Sequence, residues 1–299
     1  MRRIGFIGIG RMGWPMAARL IGAGFDVAVC DAAAGHADAF AAQIGGRATR
    51  TPEQAAAEAD AVITMLPSSA HVQAAVEAMR PGLGNGAILI EMSSGEPGVT
   101  RQIAQALAAG GVRVVDAPVS GGVSRAETGD LAIMTGGEAA DLDTVDPVLR
   151  AMGSSVTHIG GIGAGQAMKA LNNLVSAGGF LIGVEALLIG QRFGLDPALM
   201  VDVLNASTGM NNSTQRKFRQ FVLSRRFDSG FSLDLMVKDL SIALGVGRET
   251  DTATPFAALC RELWSAGRGA LGEGQDHTAL ARFSELLAGD ELGGTARRS

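Results

Sequence analysis

Over its first half the chain alternates short apolar runs, each closed by turn residues, with segments of helical spacing; past the middle the short runs disappear. Ile4, Phe6 and Ile7 open the series, and further runs stand at 25–31 (FDVAVCD), 61–66 (AVITML), 87–91 (AILIE), 112–116 (VRVVD) and 131–135 (LAIMT). Brief apolar runs bounded by Gly, Pro or Ser read as buried strands. Between them Met12, Met16, Ala17 and Leu20 recur at helical spacing, and 52–58, 69–79 and 98–109 read as helices. This alternation predicts an α/β fold with a doubly wound parallel sheet, whose ligands bind in the crevice at the carboxyl edge of the strands. The loops expected along that edge are Leu66-Pro67-Ser68, Ser93-Ser94 and 117–122.

The pattern changes at a glycine-rich junction, 160–165 (GGIGAG). Beyond it only helical periodicity is found, at about 166–193, 196–206, 211–225, 232–249, 254–270 and 276–288. The chain is therefore expected to hold a dinucleotide-type domain over 1–163 and an all-helical domain over 164–299. The first helix of the second domain carries only Lys169 and Glu185 as charges before Arg192. Such a helix, apolar nearly all round, is expected in the middle of a helical assembly. Glu185 and the neighbouring glycines favour a buried helix over a membrane span. The last residues, 289–299, read as a frayed polar tail.

Composition narrows the function. Hydrophobic residues make up 47% of the 299 positions and charged residues 18%, which suits a globular protein with surface given to subunit contacts. A net charge of −5, with aromatics at 4% and no Tyr, offers neither the basic field nor the stacking platforms of a nucleic-acid binder. Two cysteines, Cys30 and Cys260, are too few for a disulfide framework and read as reduced thiols of a cytoplasmic protein. The apolar start is not read as a signal peptide, because Arg11 interrupts it and the first strand needs those residues. His36, His71, His158 and His277 show no ligand spacing, so no metal is expected.

The candidate chemistry begins at Gly8-x-Gly10-x-x-Gly13, which joins the first strand to the first helix. Gly8 permits the tight turn, Gly10 lets a pyrophosphate approach the backbone, and Gly13 lets helix and strand pack closely. The helix N-terminus then receives the phosphates. Asp31 ends the second strand 18 residues beyond Gly13 and completes the Rossmann pattern as an acceptor for ribose hydroxyls. It would repel a 2′-phosphate, and Ala32-Ala33-Ala34 bring no Arg to offset that, so NAD is expected over NADP. Lys169 and Asn173, four apart, share a helix face. A lysine there either reaches solvent or sits in a partly dry cleft, where desolvation makes it usable as an acid or base. Ser120, Gly121 and Gly122 suit a carboxylate through a hydroxyl and two amides, or form an ordinary turn. Lys238-Asp239 lies on an amphipathic helix and by itself reads as a solvated pair.

Taken in order, GxGxMGxxM at 8–16, MLP at 65–67, DAPVSGG at 116–122, GxxxKxxNN at 165–173 and KDL at 238–240 resemble the β-hydroxyacid dehydrogenases, the 3-hydroxyisobutyrate dehydrogenase-like family, over residues 4 to about 288. The resemblance implies an NAD(P)-binding N-terminal domain, a helical domain that completes the cleft, and a homodimer or homotetramer. It implies Lys169 as catalytic acid/base, Asn173 as its helper, and Ser120, Gly121 and Gly122 as holders of the carboxylate of a small hydroxycarboxylate. Lys238 would lie near nicotinamide and substrate, Phe231 beside the ring, and Ser94 near the nicotinamide ribose. Gly8, Gly10, Arg11, Met12, Gly13, Asp31, Leu66 and Pro67 complete the expected cofactor set. The implied reaction oxidises a 3-hydroxyl reversibly. The sequence departs from relatives acting on 3-hydroxyisobutyrate where Ser207-Thr208-Gly209 is followed by Met210-Asn211-Asn212 rather than by an aromatic. Asn211 or Asn212 then either hydrogen-bonds an extra group, as in tartronate semialdehyde, threonate or serine-type substrates, or caps a helix. An imine reductase or a non-catalytic dinucleotide-binding scaffold are the competing classes, and retention of Lys169, Asn173 and Lys238 argues against both.

Overall fold

The computed structural model describes residues 1–293, which fall into two compact units divided between Lys169 and Ala170. The first unit is built on a sheet in the order β3-β2-β1-β4-β5-β6-β8-β7, with β9 paired to β8. The strands are β1 (Arg3–Ile7), β2 (Asp26–Cys30), β3 (Arg47–Ala48), β4 (Ala61–Thr64), β5 (Ile88–Glu91), β6 (Arg113–Asp116), β7 (Val119–Ser120), β8 (Ala132–Gly136) and β9 (Ser155–Gly160). Strands β4 and β5 are buried at every position. That is the state expected of parallel strands covered on both faces. Ala61, Ile63, Ile88 and Ile90 join one core with α1 (Gly13–Gly22), α2 (His36–Gln43), α6 (Gly122–Thr128) and α7 (Ala139–Met152). Val62 and Leu89, one residue out of phase, join the other with α3 (Pro52–Ala56), α4 (Ser69–Met79) and α5 (Pro97–Ala108).

Two features differ from the pattern read in the sequence. Strands β3, β2, β1, β4, β5 and β6 are parallel as expected, but β8 runs antiparallel to both β6 and β7. Strands β6 and β7 lie in line along β8, separated by Ala117-Pro118. Proline has no N–H to donate to the ladder, and the strand breaks there while the Pro118 carbonyl still accepts from the Met134 N–H at 3.1 Å. Strand β9 was not foreseen, because its residues are mostly exposed and lack an apolar run.

From Ala164 the chain forms α8 (Ala164–Phe193), followed in the second unit by α9 (Pro197–Asn205), α10 (Asn212–Arg216), α11 (Leu233–Glu249), α12 (Pro255–Leu271) and α13 (Leu280–Ala288). The core of this unit gathers Phe180, Phe218, Trp264, Leu233 and Leu240. Helix α8 is long and apolar enough to cross a membrane, yet 56% of its most apolar window is buried within the protein. The single helix expected over 211–225 is two pieces: α10 ends at Arg216, and Phe218–Leu223 forms a π-helical segment. The expected frayed tail is also corrected over 289–293. Leu292 is buried, its N–H donates to Glu285 Oε1 at 3.0 Å, and the Gly293 N–H donates to Gln191 Oε1 at 2.9 Å. Residues 294–299 of that tail lie outside the described residues.

Candidate active site

The turn between β1 and α1 has the shape that a dinucleotide needs. Gly8 sits at φ +94°, and a Cβ there would lie 2.4 Å from the Met65 carbonyl oxygen; one on Gly13 would lie 2.0 Å from that of Gly8. A Cβ on Gly10 would meet nothing within 4 Å, so that position opens outward. The N–H groups of Gly10, Arg11, Met12 and Gly13 donate to no acceptor among the described residues. Four orphan amides at a helix N-terminus, beside an open glycine, fit a pyrophosphate. Met12 packs against the core below, and the Arg11 side chain is exposed.

Asp31 lies immediately after β2. Its Oδ2 accepts from the Ile9 N–H and its Oδ1 from the Ala33 N–H, both at 2.8 Å, which holds the carboxylate against the glycine turn. His36 Nδ1 stands 3.6 Å from Oδ1, and the imidazole lies against Trp14 with ring centroids 5.2 Å apart. Of the loops along the sheet edge, the one after β4 is tied to the one after β5. Ser93 Oγ accepts from the Leu66 N–H at 3.0 Å and donates to the Thr64 carbonyl at 3.3 Å, so this serine is structural. Pro67 and Ser94 occupy the same two loops.

The start of α8 is fixed to the ends of β5 and β6. Asp116 is fully buried, and its oxygens accept from the Gly163 N–H at 2.6 Å and the Gln166 N–H at 2.8 Å. It caps a helix that begins at Ala164, far along the chain, with Gly163, 47 residues away, as one of its donors. Burial raises its carboxyl above the ordinary range, and these amide bonds work in the opposite direction. Gln166, also buried, donates through Nε2 to Glu91 Oε2 and to the Ser93 carbonyl, both at 2.7 Å, and accepts from the Gly95 N–H at 2.8 Å. Thr100 Oγ1 donates to the same Glu91 oxygen at 2.8 Å. Three residues beyond Gln166, just under one turn of the helix, comes Lys169, only 8% exposed. Ser120 ends β7, and Gly121 and Gly122 lead into α6 with φ of +139° and +69°.

In the second unit Asn173 is buried, and its Nδ2 donates to Asp239 Oδ2 at 2.5 Å. Lys238 Nζ stands 3.4 Å from Asp239 Oδ1, and Asp239 is itself buried. The Lys238-Asp239 pair is thus not the solvated pair that its helix pattern suggests in isolation. Phe231, half-buried, meets the His277 ring edge-on with centroids 5.5 Å apart. Asn211 is a helix cap: its Oδ1 accepts from the Ser213 N–H at 2.8 Å and the Thr214 N–H at 3.2 Å, and Thr214 Oγ1 accepts from the Asn211 N–H at 2.9 Å. That reciprocal box leaves Asn211 no free oxygen for an extra substrate group. Asn212 follows it as the first, exposed residue of α10.

A group not singled out in the sequence stands nearby. Lys217, half-buried between α10 and the π-helical segment, donates to Ser176 Oγ at 3.0 Å and lies 6.0 Å from the Phe180 ring centroid. Burial pushes its ammonium down to about 8, and the Asp276 charge acts in the opposite direction. Burial, helped by the Lys217 charge, pushes His277 to about 4. Gln166 and Lys217 are polar residues that the sequence pattern does not single out, and Asp239 is read there only as half of a solvated pair. The one signal available was a polar side chain inside an otherwise apolar helical pattern.

Residues 3–160 match the family model described as the NAD binding domain of 6-phosphogluconate dehydrogenase. Residues 163–284 match that described as NAD-binding of NADP-dependent 3-hydroxyisobutyrate dehydrogenase. The chain is 35% identical to 2-(hydroxymethyl)glutarate dehydrogenase of Eubacterium barkeri over 98% of each chain. It is 36% identical to 3-hydroxyisobutyrate dehydrogenase of Pseudomonas aeruginosa over 95% of this chain and 98% of that one. The solved structure of Mycobacterium tuberculosis 3-hydroxyisobutyrate dehydrogenase with L-serine is similar at a TM-score of 0.88 and 32% identity, covering 95% of this chain and 99% of the other.

Proposed function

The chain belongs to the β-hydroxyacid dehydrogenase family, and on that premise we propose that it transfers hydride reversibly between NAD and the 3-hydroxyl of a small, 3-hydroxyisobutyrate-like hydroxycarboxylate. That it is an NAD-binding oxidoreductase follows from the family. The observation that carries the finer reading is the placement of Lys169: a buried lysine on the turn of α8 that Gln166 and Asp116 fasten to the sheet edge. Bound NAD supplies the hydride acceptor in the oxidative direction. Lys169 takes the hydroxyl proton and returns it in reduction. Ser120 Oγ and the amides of Gly121 and Gly122 hold the substrate carboxylate. Asn173, oriented by Asp239, directs its amide at the reacting hydroxyl, and Lys238 and Phe231 border the nicotinamide.

Asp31 supports NAD over NADP, because its carboxylate is fixed by two backbone amides and carries a negative charge where a 2′-phosphate would come. The exposed apolar residues Val175, Ile182 and Ile189, seven apart on α8, support self-association as a homodimer or homotetramer. Buried free Cys30 and Cys260 suit a cytoplasmic protein. The L-serine held by the mycobacterial relative favours, as a second reading, a serine-type substrate of the same reaction class. The deciding experiment is Lys169→Ala, assayed with 3-hydroxyisobutyrate, L-serine and their semialdehydes by nicotinamide absorbance. We expect kcat to fall roughly 10²–10⁴-fold with NADH affinity within a few-fold. Undiminished turnover would remove Lys169 from the mechanism, and a wild-type protein silent on every substrate would favour the scaffold class.

A further inference from the structure

Lys217 has a donor capacity that its surroundings do not use. An ammonium carries three N–H donors, and here one goes to Ser176 Oγ at 3.0 Å; no carboxylate lies within 4 Å of Nζ among the described residues. Asp276, the acid whose field reaches it, is spent elsewhere. Its Oδ1 accepts from Ser229 Oγ at 2.9 Å, the Thr278 N–H at 2.9 Å and Thr278 Oγ1 at 2.5 Å; its Oδ2 accepts from Ser229 Oγ at 3.0 Å and the Gly230 N–H at 2.8 Å. The remaining neighbours are the Phe180 ring and His277, which burial keeps neutral near pH 7. A half-buried cation with one hydrogen bond to the protein among the described residues, and its nearest acid acting on it only from beyond ion-pair distance, is suited to receive an anion.

Its mooring to α8 says which anion. Ser176, the residue it is moored to, lies three residues after Asn173, and side chains three apart on a helix stand roughly 5–6 Å from each other on one face. One or two methylenes and a carboxylate span roughly 3–5 Å. We propose that Lys217 binds a second, distal carboxylate of the substrate, so that the preferred substrates are small 3-hydroxy dicarboxylic acids, or the corresponding semialdehydes, rather than monocarboxylates. This rests on the dehydrogenase reading above. The polar group sought at Met210-Asn211-Asn212 is thus supplied by Lys217, at the far end of α10, while Asn211 is occupied as a cap.

The test compares kcat/KM for 3-hydroxyisobutyrate, for 2-(hydroxymethyl)succinate and its next higher homologue, and for the mono-amides of those diacids at the distal position. The wild-type protein should favour a diacid over both 3-hydroxyisobutyrate and the neutral amide by roughly 10–100-fold, the worth of a hydrogen-bonded charge pair. Lys217→Met should reduce that ratio at least tenfold, and Lys217→Arg should keep most of it. A wild-type ratio at or below one overturns the proposal, as does a ratio that Lys217→Met leaves intact. Should Lys217→Met fail to fold, the wild-type ratio of diacid to amide together with Lys217→Arg decides the matter. Turnover of none of these compounds would instead overturn the dehydrogenase reading from which the proposal starts.

Discussion

Replacing Gln166 with Leu keeps the volume of the side chain and removes every polar contact it makes. Three hydrogen bonds are lost: to the Glu91 carboxylate, to the Ser93 carbonyl and from the Gly95 N–H. Taking this partner from the Ser93 carbonyl and the Gly95 N–H costs about 1–3 kcal/mol each, and the lost bond to Glu91, whose Oε2 keeps the Thr100 hydroxyl, costs about 1 kcal/mol. The added apolar burial of leucine returns about 1–2 kcal/mol. The net is about 3 kcal/mol, which for a unit of this size lowers Tm by roughly 6–12 °C. Because Gln166 precedes Lys169 by three residues on α8, loosening this anchor should also cut kcat at least tenfold while the affinity for NADH stays within a few-fold. Differential scanning calorimetry and steady-state kinetics read the two effects separately. A Tm within about 1 °C of wild type, together with an unaltered kcat, would show that the network does not set the position of the lysine.

Two further outcomes are expected. Asp31→Asn keeps an oxygen for the Ile9 N–H and removes the charge, so the ratio of kcat/KM for NADP to that for NAD should rise roughly tenfold; an unchanged ratio would take discrimination away from Asp31. His277 is held neutral by burial, its pKa lowered from 6.5 to about 4. The folded value lies below the unfolded one, so the stability belonging to the neutral imidazole is full above pH 6.5 and is lost as pH falls toward 4. Thermal melts of wild type and His277→Gln should therefore converge across that window by up to about 3 kcal/mol, whereas parallel curves would contradict the assignment.

What could be read in advance was whatever repeats or punctuates. The parallel core of the sheet was legible because Val62 and Leu89 alternate with Ile63 and Ile90 inside runs closed by turn residues, and helix α4 matched its pattern to the residue. Strand β9 was not, since pairing with β8 needs its backbone and not apolar side chains. The reversal at β8 depends on a broken strand at Pro118, which looks like any loop proline until its neighbour is known. At the candidate site, the glycine turn is marked by its spacing, whereas Lys169 is singled out only by the resemblance of its motif. The contacts of Gln166 and Asp239 carry no such mark, because their partners lie 66 to 75 residues away and no local periodicity encodes such distances. Asn211 was readable only as a choice, and the reciprocal bonds with Thr214 settle it as a cap.

The π-helical segment gives chain length a say in chemistry. Lys217 stands where α10 gives way to it, and its carbonyl accepts from both Phe221 N–H at 2.8 Å and Val222 N–H at 3.4 Å, one residue further than an α-helix allows. A π turn is an α turn with one residue inserted. Deleting a single residue from 218–223 would restore ordinary winding and swing everything on one side of the cut by about 100° relative to the other. The buried anchors Phe218 and Val222 could not then both keep their places, and the ammonium would leave Ser176. If Lys217 reads a distal carboxylate as proposed, deleting one residue here should abolish the preference for diacids while leaving the glycine turn and Asp31 unaltered.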